Sequence, residues 1–342
     1  MRDELKVLER IAPELMRDIG RRAQMLSCIE SMQPVGRRAL AARLNLPERE
    51  VRAAAAALRE HGLIAMDAAG MQLTPAAFDI LPGARDLSRA MFGLADLEQA
   101  LSRLLEIDHV VVVSGNADED PQVLRDAGRA AAHRVLRLLQ KGMTLAVTGG
   151  GTMSLVAQGM HAPQPIDVMV VPARGGMGSR EETQANAVAA EIARRVGGHH
   201  RVIHLPDNLD AAALQELLRL PEIQETLSRL QRADLVMHGV GRADVMAEKR
   251  HLSPEGLEQL RARQAVGEAF GDFFDFEGRT VYQAGTLSAA GLGFAHQNAL
   301  MIMVAAGERK AEAIIAAARH ERHDSLITDE SAARRIAQLL EK

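Results

Sequence analysis

Tryptophan is absent from these 342 residues, tyrosine occurs once, and aromatic residues make up only 2% of the chain. A core must therefore be built from Leu, Val, Ile, Ala and Met. The same scarcity argues against RNA or single-stranded nucleic acid as a target, because those are held by stacking bases on aromatic rings. The single cysteine, Cys28, excludes an internal disulfide and every multi-cysteine zinc site. Flanked by Met25, Leu26, Ile29 and Met32, it reads as a small buried hydrophobe and not as a reactive thiol. No apolar run approaches the roughly 20 residues of a membrane span, and the charged opening Met1–Arg10 is unlike a secretory leader. A soluble, cytoplasmic protein is expected.

What is present suits two globular domains: apolar residues reach 47% and charged ones 25%. The net charge of −4 argues against a generic polyanion binder, but it is unevenly placed. Between positions 17 and 60, nine arginines (17, 21, 22, 37, 38, 43, 49, 52, 59) face five acids (18, 30, 48, 50, 60), a local excess of +4. Such a patch is either a DNA footprint or a solvated basic face.

The order of elements there favours DNA. Apolar spacing predicts a helix from Ile19 to Met32, a second over Arg37–Leu44 and a third over Glu48–Glu60. Asn45-Leu46-Pro47 breaks the second from the third, with Pro47 suited to a first helical turn and Gly62 to a helix stop. Residues 63–66 and 71–73 around the polar turn 67–70 read as a hairpin. This is the winged helix-turn-helix order. Arg49, Arg52 and Glu48 would meet base edges, while Arg37 and Arg38 would hold phosphates of double-stranded operator DNA. A three-helix protein-interaction module is the alternative.

Residues 1–80 are thus assigned to DNA binding, 81–106 to a helical linker and 107–342 to an effector domain. In the linker, Leu87, Met91, Leu94, Leu97, Leu101 and Leu104 fall at spacings of three and four, close to a coiled-coil seam. A dimerising helix is expected, against the alternative of a helix packed on its own domain.

From His109 onward strands alternate with helices. Strands are expected at 110–114, 143–148, 165–172, 201–205, 235–239 and 300–305, with helices at 121–140, 182–196 and 309–319. The class is α/β, a Rossmann-like parallel sheet covered on both faces, whose ligands bind beyond the C-terminal strand ends. Thr148-Gly149-Gly150-Gly151-Thr152 follows one strand and opens a helix, as an anion cradle does. It is neither a Walker A motif nor a good dinucleotide fingerprint, since Ser154 takes the third glycine position and Asp167 starts the next strand. Arg174-Gly175-Gly176, with Gln184 and Asn186 beyond, follows the next strand; Gly239–Arg242 with Arg250, and Gly307–Lys310, follow others. A small phosphorylated metabolite is the implied ligand, with no cofactor and no metal.

These segments, together with Ala265–Gly271, span most of residues 107–342 and resemble the SorC family of sugar-responsive bacterial transcription regulators, most nearly its central glycolytic group. The resemblance implies a phosphosugar-isomerase-like effector domain without catalysis, in a repressor of glycolytic genes. It further implies fructose-1,6-bisphosphate as effector, and dimers that assemble into tetramers on DNA. Gly149, Gly150, Gly151 and Thr152 would hold one phosphate; Arg174, Gln184, Arg250 and Lys310 would contact the rest, and Glu268 the sugar hydroxyls. Two other classes compete. A sugar-phosphate isomerase or deaminase would use Glu268 or Asp234 as base, and a metal-dependent hydrolase would draw on His199, His200 and His204.

Overall fold

A computed structural model of the chain describes residues 7–8, 10–44, 46–91, 93–174, 183–203, 211–284 and 299–341. The chain parts into two units, Met1–Asp96 and Leu97–Lys342.

The first unit contains α1 (Pro13–Met32), α2 (Arg37–Leu44), α3 (Glu48–Glu60), the hairpin β1 (Ile64–Met66) and β2 (Met71–Leu73), and α4 (Pro75–Met91). α1 begins six residues before the periodicity suggested, because Pro13 at its start and Glu14 in its first turn favour a helix end there. Pro47 stands one residue outside α3, as its N-cap. Asp67 folds the hairpin turn: its Oδ1 accepts from the backbone N–H of Ala69 (2.8 Å) and of Gly70 (3.0 Å). Val35 exchanges backbone hydrogen bonds with Met71 and so adds a third short stretch to the wing. Met25, Leu26, Ile29, Leu40, Val51, Leu58, Ile64, Met71 and Leu81 form the core. Cys28 is half-buried at the margin of that core, more open than its neighbours in sequence suggested.

The leucine seam is not one helix. α4 stops at Met91, Gly93 turns the chain at φ +69°, and α5 (Leu94–Leu105) follows. Leu101 and Leu105 are buried, and the Glu98 carboxylate accepts from the N–H of Val112 at 2.8 Å. The second half of the seam therefore packs on its own unit, where Glu98 satisfies an N–H of an edge strand.

In the second unit, β3 (His109–Val113), β4 (Thr144–Val147), β5 (Met169–Pro172), β6 (His199–His200), β7 (Leu235–Gly239), β12 (Leu300–Val304) and β13 (Ser325–Asp329) form a parallel sheet in the order β3-β13-β12-β7-β4-β5-β6. On one face α6 (Pro121–Leu138), α7 (Gly151–Gly159) and α8 (Ala185–Val196) bury Ala127, Val135, Met153, Val156, Val188 and Ile192 against Leu145, Val147, Val170 and Met237. α6 is capped by Asp120, which accepts from the Gln122 N–H at 2.8 Å, with Pro121 in the first turn. The strand expected at 201–205 is instead the two-residue edge His199–His200. The strand expected from 165 begins at Met169, so Asp167 precedes it and does not open it.

An antiparallel sheet that the sequence did not announce carries residues of the site. It consists of β8 (Gly241–Arg242), β9 (Gly267–Ala269), β10 (Asp272–Phe274) and β11 (Thr280–Gln283), in the order β11-β10-β9-β8. Strands of two to four residues are too short to show an alternating pattern. The described residues of the second unit also form α9 (Ala211–Leu218), α10 (Pro221–Gln231), α11 (Ala243–Lys249), α12 (Pro254–Ala262), a 3-10 turn at Glu308–Lys310, α13 (Ala311–His320) and α14 (Glu330–Leu340).

Strand order fixes where a ligand can sit. From β4 the chain moves outward through β5 to β6, and from β7, beside β4, it moves the opposite way through β12 to β13. The connections that leave β4 and β7 thus diverge and open a crevice at their C-terminal ends, the topological switch point of a doubly wound sheet.

Candidate functional site

The glycine loop lies on one lip of that crevice. Thr148 is buried, donates its N–H to Met237 O (3.1 Å) and accepts at Oγ1 from the Gly239 N–H (3.4 Å), which ties the exits of β4 and β7 together. Gly149 passes so close to the start of α8 that a Cβ there would stand 2.5 Å from Thr183 O, and Gly150 donates to the same oxygen at 2.8 Å. Gly150 adopts φ +113°, a conformation that L side chains rarely take. The loop thereby brings Gln184, the N-cap residue of α8, beside it. Among the described residues, none would crowd a Cβ at Gly150 or Gly151, and no side chain caps the first turn of α7. Backbone N–H groups at such an end are free to take an anion.

Beyond β5 and the small sheet, two arginines share one carboxylate. Arg174, just beyond β5, and Arg250, just beyond α11, have side chains only 6% and 4% exposed. Glu268 on β9, equally buried, binds Arg250 directly, lies 3.7 Å from Arg174 Nη1 and accepts from the Gly271 N–H at 2.6 Å. Burial pushes the Glu268 carboxyl above the usual range, and Arg174, the Gly271 N–H and Lys249 pull it back. Lys310 ends the 3-10 turn after β12. Burial lowers its ammonium below the ordinary lysine value and Lys249 pushes the same way, while Asp118 and Asp329 oppose both.

Asp329 holds the loops beyond β3, β12 and β13 together. Its carboxylate accepts from the N–H groups of Ala117 (2.6 Å), Gly307 (3.0 Å) and Ala332 (3.2 Å), and the whole residue is buried. Asp118 accepts from the Arg309 N–H at 3.0 Å and pairs with its guanidinium at 3.3 Å. Neither aspartate was singled out from the sequence: Asp118 lies in the polar loop after β3, and β13, which ends on Asp329, carries no signal apart from its few apolar residues. Under the small sheet, His238 and His323 meet Nε2 to Nε2 at 2.8 Å, with Phe270 4.7 Å from the His238 ring. Burial draws His323 down to about 4.

Thr148–Thr152, Gln184, Arg174, Arg250, Glu268 and Lys310 therefore belong to loops and short elements at one end of the sheet, whereas several other nominees do not. Gly175 and His204 lie outside the described residues. Arg242 turns to Asp244, its Nε donating at 3.1 Å. Asn186 clamps the chain after β6 through both backbone groups of Ile203, a structural task. Asp234 sits at the opposite, N-terminal end of β7, where its carboxylate accepts from the Thr144 N–H at 2.8 Å, so it cannot serve as a base at the crevice. Glu268, the other base considered, is tied to two cations and an amide. His199 and His200 are exposed on the edge strand β6.

In the first unit Arg37, Arg38, Arg49 and Arg52 are all exposed at the starts of α2 and α3. Glu48 is half-buried between two of them, 3.7 Å from Arg38 Nε and 3.8 Å from Arg52 Nη2. Glu48 thus lies within reach of two of the four arginines.

Comparison with known proteins matches both units. Residues 18–87 match the family described as the CggR N-terminal DNA binding domain, and residues 89–338 match the sugar-binding domain family Sugar-bind. The central glycolytic genes regulator of Priestia megaterium is 38% identical over 341 residues, covering 99% of this chain and 99% of that protein. Its namesake in Bacillus subtilis is 32% identical over 339 residues, covering 98% and 99%. Among solved structures, a SorC-family transcriptional regulator from Enterococcus faecalis aligns with a TM-score of 0.65 at 35% identity, over 70% of this chain and 99% of its own. The full-length sorbitol operon regulator SorC from Klebsiella pneumoniae shares the fold, with a TM-score of 0.65 at 20% identity over 89% and 94%. The chain, no enzyme, belongs to the SorC family of sugar-responsive DNA-binding transcription regulators, in the group of central glycolytic genes regulators.

Proposed function

We propose that the protein represses glycolytic genes and that fructose-1,6-bisphosphate relieves its binding to DNA. The observation that carries the effector reading is an α7 N-terminus without a side-chain cap at the switch point, with a buried Arg174–Glu268–Arg250 cluster whose Arg174 follows the neighbouring strand β5. Gly149, Gly150, Gly151 and Thr152 would hold one phosphate, with the N–H groups of Gly151 and Thr152 as donors, since that of Gly150 is given to Thr183 O. Arg174, Gln184, Arg250 and Lys310 would take the remaining charge, and Glu268 would accept from sugar hydroxyls. Such donors are already oriented before ligand arrives, so little ordering cost attends binding. Resemblance to the family names the sugar.

For relief of repression the effector must bind one assembly of subunits better than another. Dimers that associate as tetramers on operator DNA would supply those assemblies, with loops at the strand ends as the responsive element. A thermal-shift panel of sugar phosphates on the full chain tests this reading. Fructose-1,6-bisphosphate should raise the melting temperature, by an increment that grows with its concentration. Arg250→Ala should blunt that increment. No response to any phosphosugar would sink the sensor reading.

A further inference from the structure

We propose that Phe270 is a positioning residue of the effector site, whose ring locks a strained turn and thereby holds Glu268 between Arg174 and Arg250. This rests on the reading of the crevice as a sugar-phosphate site. Ala269 of β9 pairs with Asp272 of β10, so Phe270 and Gly271 make up the whole turn between these strands. Both have positive φ, +55° at Phe270 and +101° at Gly271, as a two-residue hairpin turn of type I′ requires. Asn, Asp or Gly ordinarily fills the first of these positions. A bulky aromatic residue there is a backbone outlier, and such outliers persist only where their surroundings over-determine them.

The side chain and the backbone of this turn have separate anchors. Phe270 is buried, its ring 4.7 Å from that of His238, and His238 is itself held by His323, Nε2 to Nε2, at 2.8 Å. His238 lies near the end of β7, where the N–H of the next residue, Gly239, donates to Thr148 of the glycine loop. The backbone of the turn aims the Gly271 N–H at Glu268 Oε1, 2.6 Å away, while Gly271 O accepts from the Ala284 N–H at 2.8 Å. The same Oε1 binds Arg250 directly and lies 3.7 Å from Arg174 Nη1. One oxygen therefore meets the turn and both guanidinium groups, and its place follows the turn. Without the ring on His238 the turn is free to relax, the Gly271 N–H leaves the oxygen, and the carboxylate loses its fixed position between the arginines.

Titration calorimetry with fructose-1,6-bisphosphate on the full chain tests the assignment through a double-mutant cycle. Phe270→Leu keeps an apolar side chain but no ring, and should weaken binding about tenfold or more. Phe270→Gly suits the positive φ but also lacks the ring, so it should lose as much. Phe270→Tyr keeps the ring and should stay within about twofold of the unsubstituted chain. In a Glu268→Gln background, itself weakened, Phe270→Leu should add no more than about twofold, because it acts through the carboxylate. Melting temperatures above the assay temperature show that each variant is folded. A residue that only supports the fold would weaken binding by the same factor in both backgrounds. That result overturns the assignment while the effector site itself stands, as do full affinity in Phe270→Leu or Phe270→Gly and a Phe270→Tyr no better than Phe270→Leu. Absence of binding by the unsubstituted chain overturns both readings.

Discussion

The same side chain works under two electrostatic regimes in this molecule. In the first unit Arg37, Arg38, Arg49 and Arg52 point into solvent, and Glu48 touches two of them only loosely, at 3.7 and 3.8 Å. In the second, Arg174 and Arg250 are buried around one carboxylate. Exposed guanidinium groups keep their hydration until a polyanion arrives, and their attraction is screened by salt. Buried ones have already given up water and are held in a fixed geometry, which suits recognition of one small ligand. Under the proposed function, long-range attraction to DNA and short-range discrimination of an effector would use one residue type at two depths.

The contrast can be broken at its deepest point first. Glu268→Leu leaves two buried guanidinium groups without their carboxylate and should cost about 3–5 kcal/mol. The check is urea unfolding of the second unit; a loss below about 1 kcal/mol would mean that the cluster is effectively solvated. The buried imidazole pair gives the next effect. His323 is held near 4, against about 6.5 when unfolded. The unfolded chain therefore binds more protons between these values, so stability present above pH 6.5 should fall as pH drops toward 4. The span corresponds to on the order of 3 kcal/mol. His323→Gln should flatten that slope in a pH series of unfolding curves.

Smaller effects belong to the first unit. Arg49→Ala should cost about 1–3 kcal/mol on operator DNA and little on unrelated duplex, if it meets a base edge. Arg37→Ala should weaken both alike and reduce the slope of log affinity against log salt by about 1. Fluorescence anisotropy across a salt series separates the two. At the bottom of the scale, Glu48→Ala should change stability by no more than about 1 kcal/mol, because its pairs are exposed. A loss as large as that for Glu268 would erase the distinction between the two regimes.

Legibility in the sequence followed the same division between local and distant contacts. The boundaries of α2 and α3 were readable to the residue, since Pro47, Gly62 and the apolar spacing act within a turn of the helix they delimit. The glycine loop was readable for the same reason, as a strand, three glycines and a helix adjoin in the chain. The small antiparallel sheet was not, nor were Asp118, Asp329 and the His238–His323 pair. The two histidines are 85 positions apart, and Ala117 and Asp329 are 212 apart. Contacts at that separation leave no local periodicity. The leucine seam misled in the opposite way, because its spacing continues across Gly93 although the helix does not.

By itself the sequence determined the division into two parts: an arginine-rich winged helix-turn-helix ahead of an α/β domain with a glycine loop at a strand end. Both follow from signals that act over a few residues, namely caps, breaks and apolar period. Only the tertiary structure decided which cations share a crevice and which of them are already neutralised. Strand order brings β4 and β7 side by side although some ninety residues separate them, and that order is set by how the whole sheet buries its faces. Glu268 acquires its meaning there. In the chain it is one carboxylate in a short apolar stretch, and in the fold it is the partner of Arg174 and Arg250.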